Sequence, residues 1–209
     1  MKIAGFQAMT LSDFPGHIAA IVFTQGCNFR CPFCHNGNLI PAAPTEKLMD
    51  TDLLMDRIVK YSDMLEGVVV TGGEPTIQPD IADFMRKLHR SGLKVKLDTN
   101  GSRPDVLKAL LADALADYVA MDVKAPLCKE KYDQLTGINC SIEKIQQSIE
   151  MLSDCSAEVE FRTTFVPSLL SDEDIAKIKS SLPAGCKYTV QKFIPDNVLN
   201  SSVALQTAF

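Results

Sequence analysis

Six apolar runs of strand length, separated by stretches of helical period, predict an α/β fold built on a parallel sheet. The runs are Ala19–Thr24, Gly67–Thr71, Lys94–Asp98, Tyr118–Val123, Ala157–Thr163 and Tyr188–Phe193. A strand-helix unit repeated about six times calls for right-handed crossovers that lay the helices against the sheet. Size is the second observation: 209 residues, 46% hydrophobic and 22% charged, suit a single domain spanning 1–209. Periodicity leaves open whether the units close into a barrel, and residues 197–209 carry no assigned element.

The clearest helix follows the second run. Pro79 suits its first turn, Ile81, Phe84, Met85 and Leu88 fall on one face, and Gly92 supplies a stop. After Ser141, a candidate cap, Ile142, Ile145, Ile149 and Leu152 repeat that stripe. Ser171 with Asp174 opens a further helix bearing Ile175, Ile178 and Leu182.

A formal charge of −5 and a pI near 5.2 give no basic footprint for nucleic acid. The chain has no apolar run long enough to span a membrane, and MKIAGFQAMT lacks the layout of a signal peptide, so a cytoplasmic protein is expected. Seven cysteines in such a chain point to metal or catalytic thiols rather than to disulfides.

Cys27, Cys31 and Cys34 form a C-x3-C-x2-C loop directly after the first run, at the strand end where α/β barrels place their active sites. Thiolates suit iron-sulfur clusters and zinc alike. Three ligands on a cube of four irons would leave one iron open to a further ligand, whereas Cys27, Cys31, Cys34 and His35 together could hold a structural zinc. The second run ends in Thr71-Gly72-Gly73-Glu74-Pro75. Glycines there allow a ligand to approach the backbone, and Glu74 is the sole charge; the plainer alternative is a tight turn with a solvated acid.

Together the cysteine loop and the GGEP strand end resemble the radical S-adenosylmethionine (SAM) superfamily over the stretch from Leu11 to about Phe193. The resemblance implies a partial (β/α)6 barrel of TIM type. It also implies a 4Fe-4S cluster on Cys27, Cys31 and Cys34, and a SAM amino group held at Gly72, Gly73 and Glu74, with Phe33 near the adenine. Ser12-Asp13-Phe14-Pro15-Gly16, Cys34-His35-Asn36, Asp98-Thr99-Asn100-Gly101 and Asp122-Val123-Lys124 resemble segments of the activating enzymes of glycyl radical enzymes. By that resemblance Asp98, Thr99, Asp122, Lys124 and Arg162 gather near SAM, and Asp98, Thr99 and Asp122 hold a monovalent cation beside its carboxylate.

Within the branch, the opening segment looks most like activators of anaerobic ribonucleoside-triphosphate reductase. That implies a glycyl radical enzyme as protein substrate and a low-potential electron donor such as flavodoxin or ferredoxin. Phe14 stands where the family often has glycine, and His17 near a frequent arginine. Two rival readings are a radical SAM enzyme acting on another glycyl radical enzyme or on a small molecule, as deazapurine synthases do, and a non-catalytic zinc or iron-sulfur module. Cys128, Cys140, Cys155 and Cys186 outline no second cluster and read as free thiols. His89 reads as a solvated residue on the polar side of its helix.

Overall fold

The computed structural model of the chain describes residues 1–41, 47–195, 198–200 and 203. Its strands are β1 Ile3–Thr10, β2 Ala19–Thr24, β3 Gly67–Gly72, β4 Lys94–Thr99, β5 Tyr118–Asp122, β6 Glu158–Phe165 and β7 Lys187–Lys192. Its helices are α1 Thr51–Lys60, α2 Ile81–Arg90, α3 Pro104–Ala112, α4 Lys129–Thr136, α5 Ile142–Ser153 and α6 Asp172–Ser181. The strands form one sheet in sequence order. From β2 to β7 all pairings are parallel, which matches the six expected strands and gives the open, partial barrel.

β1 is the strand that the apolar runs do not announce. It pairs antiparallel with β2 at one edge of the sheet, and it is buried only at its two ends, Ile3 and Thr10. An edge strand with a wet middle needs neither a continuous apolar run nor clean alternation. The sheet therefore begins ahead of Leu11, where the resemblance began.

Alternate residues along each strand face opposite sides. One side sends Val68, Val70, Val95, Leu97, Val119 and Met121 into the large core shared with the helices. The other carries a smaller cluster of Phe14, Ala19, Ile21, Val69, Tyr118 and Ala120. Phe14 plugs that inner face: it is buried, it meets the Tyr118 ring edge-on at 6.0 Å, and a Cβ on Gly67 would come within 2.7 Å of its ring. A packing role explains why the aromatic stands where the family often has glycine.

The helix caps follow local chemistry. Ser141 accepts from the Lys144 N–H, and Ser171 and Asp174 close a reciprocal capping box, both as expected. Pro79 falls just ahead of the N-cap Asp80 rather than in the first turn of α2, while Ile81, Phe84, Met85 and Leu88 are all buried. His89 is not simply solvated: its ring nitrogen meets the Asp117 carboxylate at 2.8 Å, and that same carboxylate accepts from the Val95 N–H. The link ties α2 to the lower ends of β4 and β5.

Candidate functional site

The cysteine loop leaves β2 and is held on three sides. Arg30 N–H donates to the Thr136 carbonyl at the end of α4, where Gly137 ends the helix in a left-handed turn and leaves room for the Arg30 carbonyl that a side chain would strike. Leu199 and Asn200 N–H groups donate to the Cys34 and Pro32 carbonyls, so part of the C-terminal stretch without an expected element lies on this loop. The remainder of residues 197–209 lies largely outside the described residues.

The third support is the glycine pair. Gly73 N–H donates to the Thr24 carbonyl and Glu74 N–H to the Gly26 carbonyl, which brings the end of β3 hard against the start of the cysteine loop. Gly72 has φ +117°, and a Cβ on Gly73 would overlap the Gly26 carbonyl. These glycines are therefore required by backbone contact with β2 and the loop, a reason that ligand approach alone does not supply. Gly73→Ala should cost about 1–3 kcal/mol or more by overpacking, read as a lower urea midpoint with an unchanged slope.

Glu74 is buried, not solvated. Its Oε1 accepts from the Thr76 N–H at 3.0 Å, from the Thr76 hydroxyl, and from the Thr99 hydroxyl at 2.8 Å; its Oε2 accepts from the Asn100 N–H at 2.7 Å. Burial pushes this carboxyl above its ordinary range, and those donors pull against it. Oε2 retains acceptor capacity for one further donor. Asn28, in the cysteine loop, bonds both the Asn100 amide at 3.0 Å and the Ser102 hydroxyl at 2.7 Å, locking the loop to the end of β4.

A cavity of about 290 Å³ opens where these segments meet. Cys27, Cys31, Cys34, Phe33, Gly72, Gly73, Glu74, Asp98, Thr99, Asp122, Lys124 and Arg162, the site residues singled out in the sequence, all line it. Parallel pairing explains the convergence, because it brings the C-terminal ends of β3, β4, β5 and β6 to one rim. A larger open groove, about 930 Å³, runs along Arg103, Lys108, Lys144 and Glu150, and carries none of these groups.

Charge in the cavity is paired. Register sets Asp122 opposite Arg162, and Arg162 Nε meets Asp122 Oδ1 at 3.0 Å while its Nη1 lies 3.5 Å from Asp98 Oδ2. Lys124 Nζ takes Asp122 Oδ2 at 2.9 Å and sits 5.9 Å from the Phe33 ring centre. Lys96, a residue that the sequence reading passed over, takes Asp98 Oδ1 at 2.5 Å. Burial works against the ionised form of Asp122, but Arg162 and Lys124 outweigh it and hold the carboxyl down at about 2.

Cys27 and Cys31 move the other way. Burial, with Glu74 adding to it, pushes Cys27 up to about 11, and burial pushes Cys31 up to about 12. They stay protonated until a metal displaces the proton. His35 stacks on Phe193 at 5.9 Å, and its Nε2 donates to the Ile194 carbonyl at 2.6 Å, which commits one ring nitrogen of the imidazole beside the thiols. Packing is thus the role that His35 visibly has. Cys128 is exposed, Cys140 buried, and Cys155 and Cys186 half-buried along a separate small cavity, away from the loop.

The profile of the Radical SAM superfamily matches residues 21–182. The chain belongs to that superfamily. A Methanocaldococcus jannaschii protein provisionally named a glycyl-radical enzyme activating enzyme is 32% identical over 200 residues, 92% of this chain and 80% of that one. Pyruvate formate-lyase 1-activating enzyme of Escherichia coli K12 is 31% identical over 183 residues, 84% of this chain and 72% of its own. These relatives place the radical SAM chain in the activating-enzyme branch, and the family implies a 4Fe-4S cluster and SAM.

Among solved structures, SuiB of Streptococcus suis bound to its precursor peptide superposes with a TM-score of 0.66 at 14% identity. The match covers 85% of this chain and 40% of SuiB, and it speaks for the fold alone. The donor set fits the family's cofactors: three thiols share one cavity with the buried Glu74 and with partly buried acids and cations that suit a zwitterion. No described helix is long and apolar enough to cross a membrane.

Proposed function

We propose that this chain activates anaerobic ribonucleoside-triphosphate reductase by generating a glycyl radical on it. The observation that carries the reading is the convergence of Cys27, Cys31 and Cys34 with Glu74, Asp98, Asp122, Lys124 and Arg162 on one cavity at the strand ends. In this reading the three cysteines hold the cluster, while Gly72, Gly73 and Glu74 face the amino group of SAM. Phe33 lies by the adenine, and Asp98, Thr99, Asp122, Lys124 and Arg162 face the methionine carboxylate. When bound, the two cofactors supply one chemistry, reductive cleavage of SAM to a carbon radical that abstracts hydrogen.

The protein's own part is placement and exclusion of water. Glu74 N–H and the Gly73 backbone anchor the β3 end to the cysteine loop, so the residues proposed for cluster and amino group form one rigid body. Lys124 bridges from Asp122 toward the Phe33 ring, which ties the carboxylate side to the aromatic side. A low-potential donor such as flavodoxin or ferredoxin supplies the electron. The choice of the reductase as partner rests on the likeness of the opening segment to activators of that enzyme.

The test is anaerobic: load the protein with iron and sulfide, add SAM, a reductant and the reductase, and record electron paramagnetic resonance of the mixture. A glycyl radical doublet on the reductase is the expected result. Formation of 5'-deoxyadenosine with no doublet would remove the reductase assignment and leave the radical SAM reading standing.

A further inference from the structure

Asp98 and Asp122 present four carboxylate oxygens, and each of the four already meets a protein cation. Lys96 takes Asp98 Oδ1, Arg162 takes Asp98 Oδ2 and Asp122 Oδ1, and Lys124 takes Asp122 Oδ2. Three protein cations against two acids leave this cluster with one positive charge in excess. A free monovalent cation added there would have to share every oxygen of both acids with a protein cation. It would also sit within a few ångströms of three like charges in a partly buried cavity, where Coulomb energies are large.

Lys96 is the residue that closes this set. It lies two positions before Asp98 on the same face of β4, one step deeper than the cavity floor. Its side chain is 3% exposed, and its ammonium stands 5.8 Å from the centre of the Tyr118 ring. A lysine is rarely buried unless it is paired. Here Asp98 is the acid within ion-pair distance of it, and the Tyr118 ring supplies the second wall.

We propose that the ammonium of Lys96 takes the place of a monovalent metal cation at Asp98, so that SAM binding by this chain needs no K⁺ or Na⁺. The inference rests on reading the cavity as the SAM site, and it differs from the expectation that Asp98, Thr99 and Asp122 hold such an ion. A tethered ammonium loses no translational freedom on binding, so it outcompetes a dissolved ion for the same oxygen. It also fixes Asp98, which in turn orients Arg162 toward the carboxylate side of the cavity.

The test compares wild type with Lys96→Met, which keeps an unbranched side chain of similar length and removes the charge. Thermal midpoints and SAM dissociation constants are measured on cluster-loaded protein in KCl and in tetramethylammonium chloride at equal ionic strength. Wild type should give the same values in both salts. Lys96→Met should bind SAM more weakly in tetramethylammonium and recover on the order of tenfold in affinity with K⁺, with a higher midpoint in K⁺ as well. Adding Asp98→Asn to Lys96→Met should erase the K⁺ response, because the vacated oxygen is then uncharged.

A K⁺ requirement in wild type, or no K⁺ response in Lys96→Met, would overturn the proposal. Should Lys96→Met fail to fold, Lys96→Gln carries the same comparison, and the wild-type salt series still decides by itself whether a cation is needed. If no variant binds SAM in either salt, the reading of the cavity has failed; the thermal midpoints then judge Lys96 on their own.

Discussion

Cys31→Ala is expected to lose the cluster and with it all formation of 5'-deoxyadenosine. Cys31 is buried where Cys27 and Cys34 are half-buried, and burial pushes its thiol up to about 12. Removing it leaves two thiols, which cannot hold a cube of four irons against loss to solvent. The fold itself should survive, because a buried free cysteine acts as a small hydrophobe and its loss to alanine costs only about 1 kcal/mol. Iron and sulfide content, the visible absorbance of the reconstituted protein and the yield of 5'-deoxyadenosine check the prediction together. A variant that folds with only a slightly lowered midpoint, binds no cluster and cleaves no SAM is the expected outcome; cleavage that persists would remove the cluster from Cys31.

The periodic part of the chain was the legible part. Strands β2, β3 and β5 and the stripe of α2 announce themselves, because a strand buried on both faces must be apolar throughout and a covering helix must repeat its contacts. The cysteine loop and the GGEP end were legible as motifs, and the structure brings their residues to one cavity. What sequence could not announce was set by pairing across the fold. β1 is half wet, and the partners of Glu74 come from Thr76, Thr99 and Asn100, the last two on a neighbouring strand end.

Lys96 is instructive because a signal was present: a lysine at an inward position of an otherwise buried strand, in step with Asp98 two residues on. Strand parity alone puts both on one face. Charge at such a position demands a partner, and the partner was already named. The glycine pair was legible for one of its two reasons: room for a ligand at the strand end was read from it, while the close backbone contacts of Gly72 with β2 and of Gly73 with the cysteine loop come from pairing across the fold.

Arg162→Met should lower the stability of the fold while leaving the thiols intact. Arg162 reaches two acids at once, Nε to Asp122 and Nη1 to Asp98, and its side chain is 15% exposed. Removing it strips Asp122 of its largest opposing charge and leaves that acid Lys124 alone, while Asp98 keeps Lys96, so the cost is about 1–3 kcal/mol. Urea unfolding of wild type and variant without cofactors reads that difference directly. The pH dependence supplies the sign. Asp122 has a folded pKa of about 2, below its unfolded value of about 3.9, so its ionisation contributes stability above that unfolded value, lost as acid carries the protein down through about 2. In Arg162→Met the opposing effect of burial is no longer outweighed by both cations, so the folded pKa of Asp122 rises and the loss moves to higher pH. Acid titration followed by circular dichroism should therefore show the variant failing earlier than wild type. Coincident acid transitions would mean that Lys124 alone holds Asp122 ionised, and that Arg162 serves the carboxylate of a bound ligand rather than the fold.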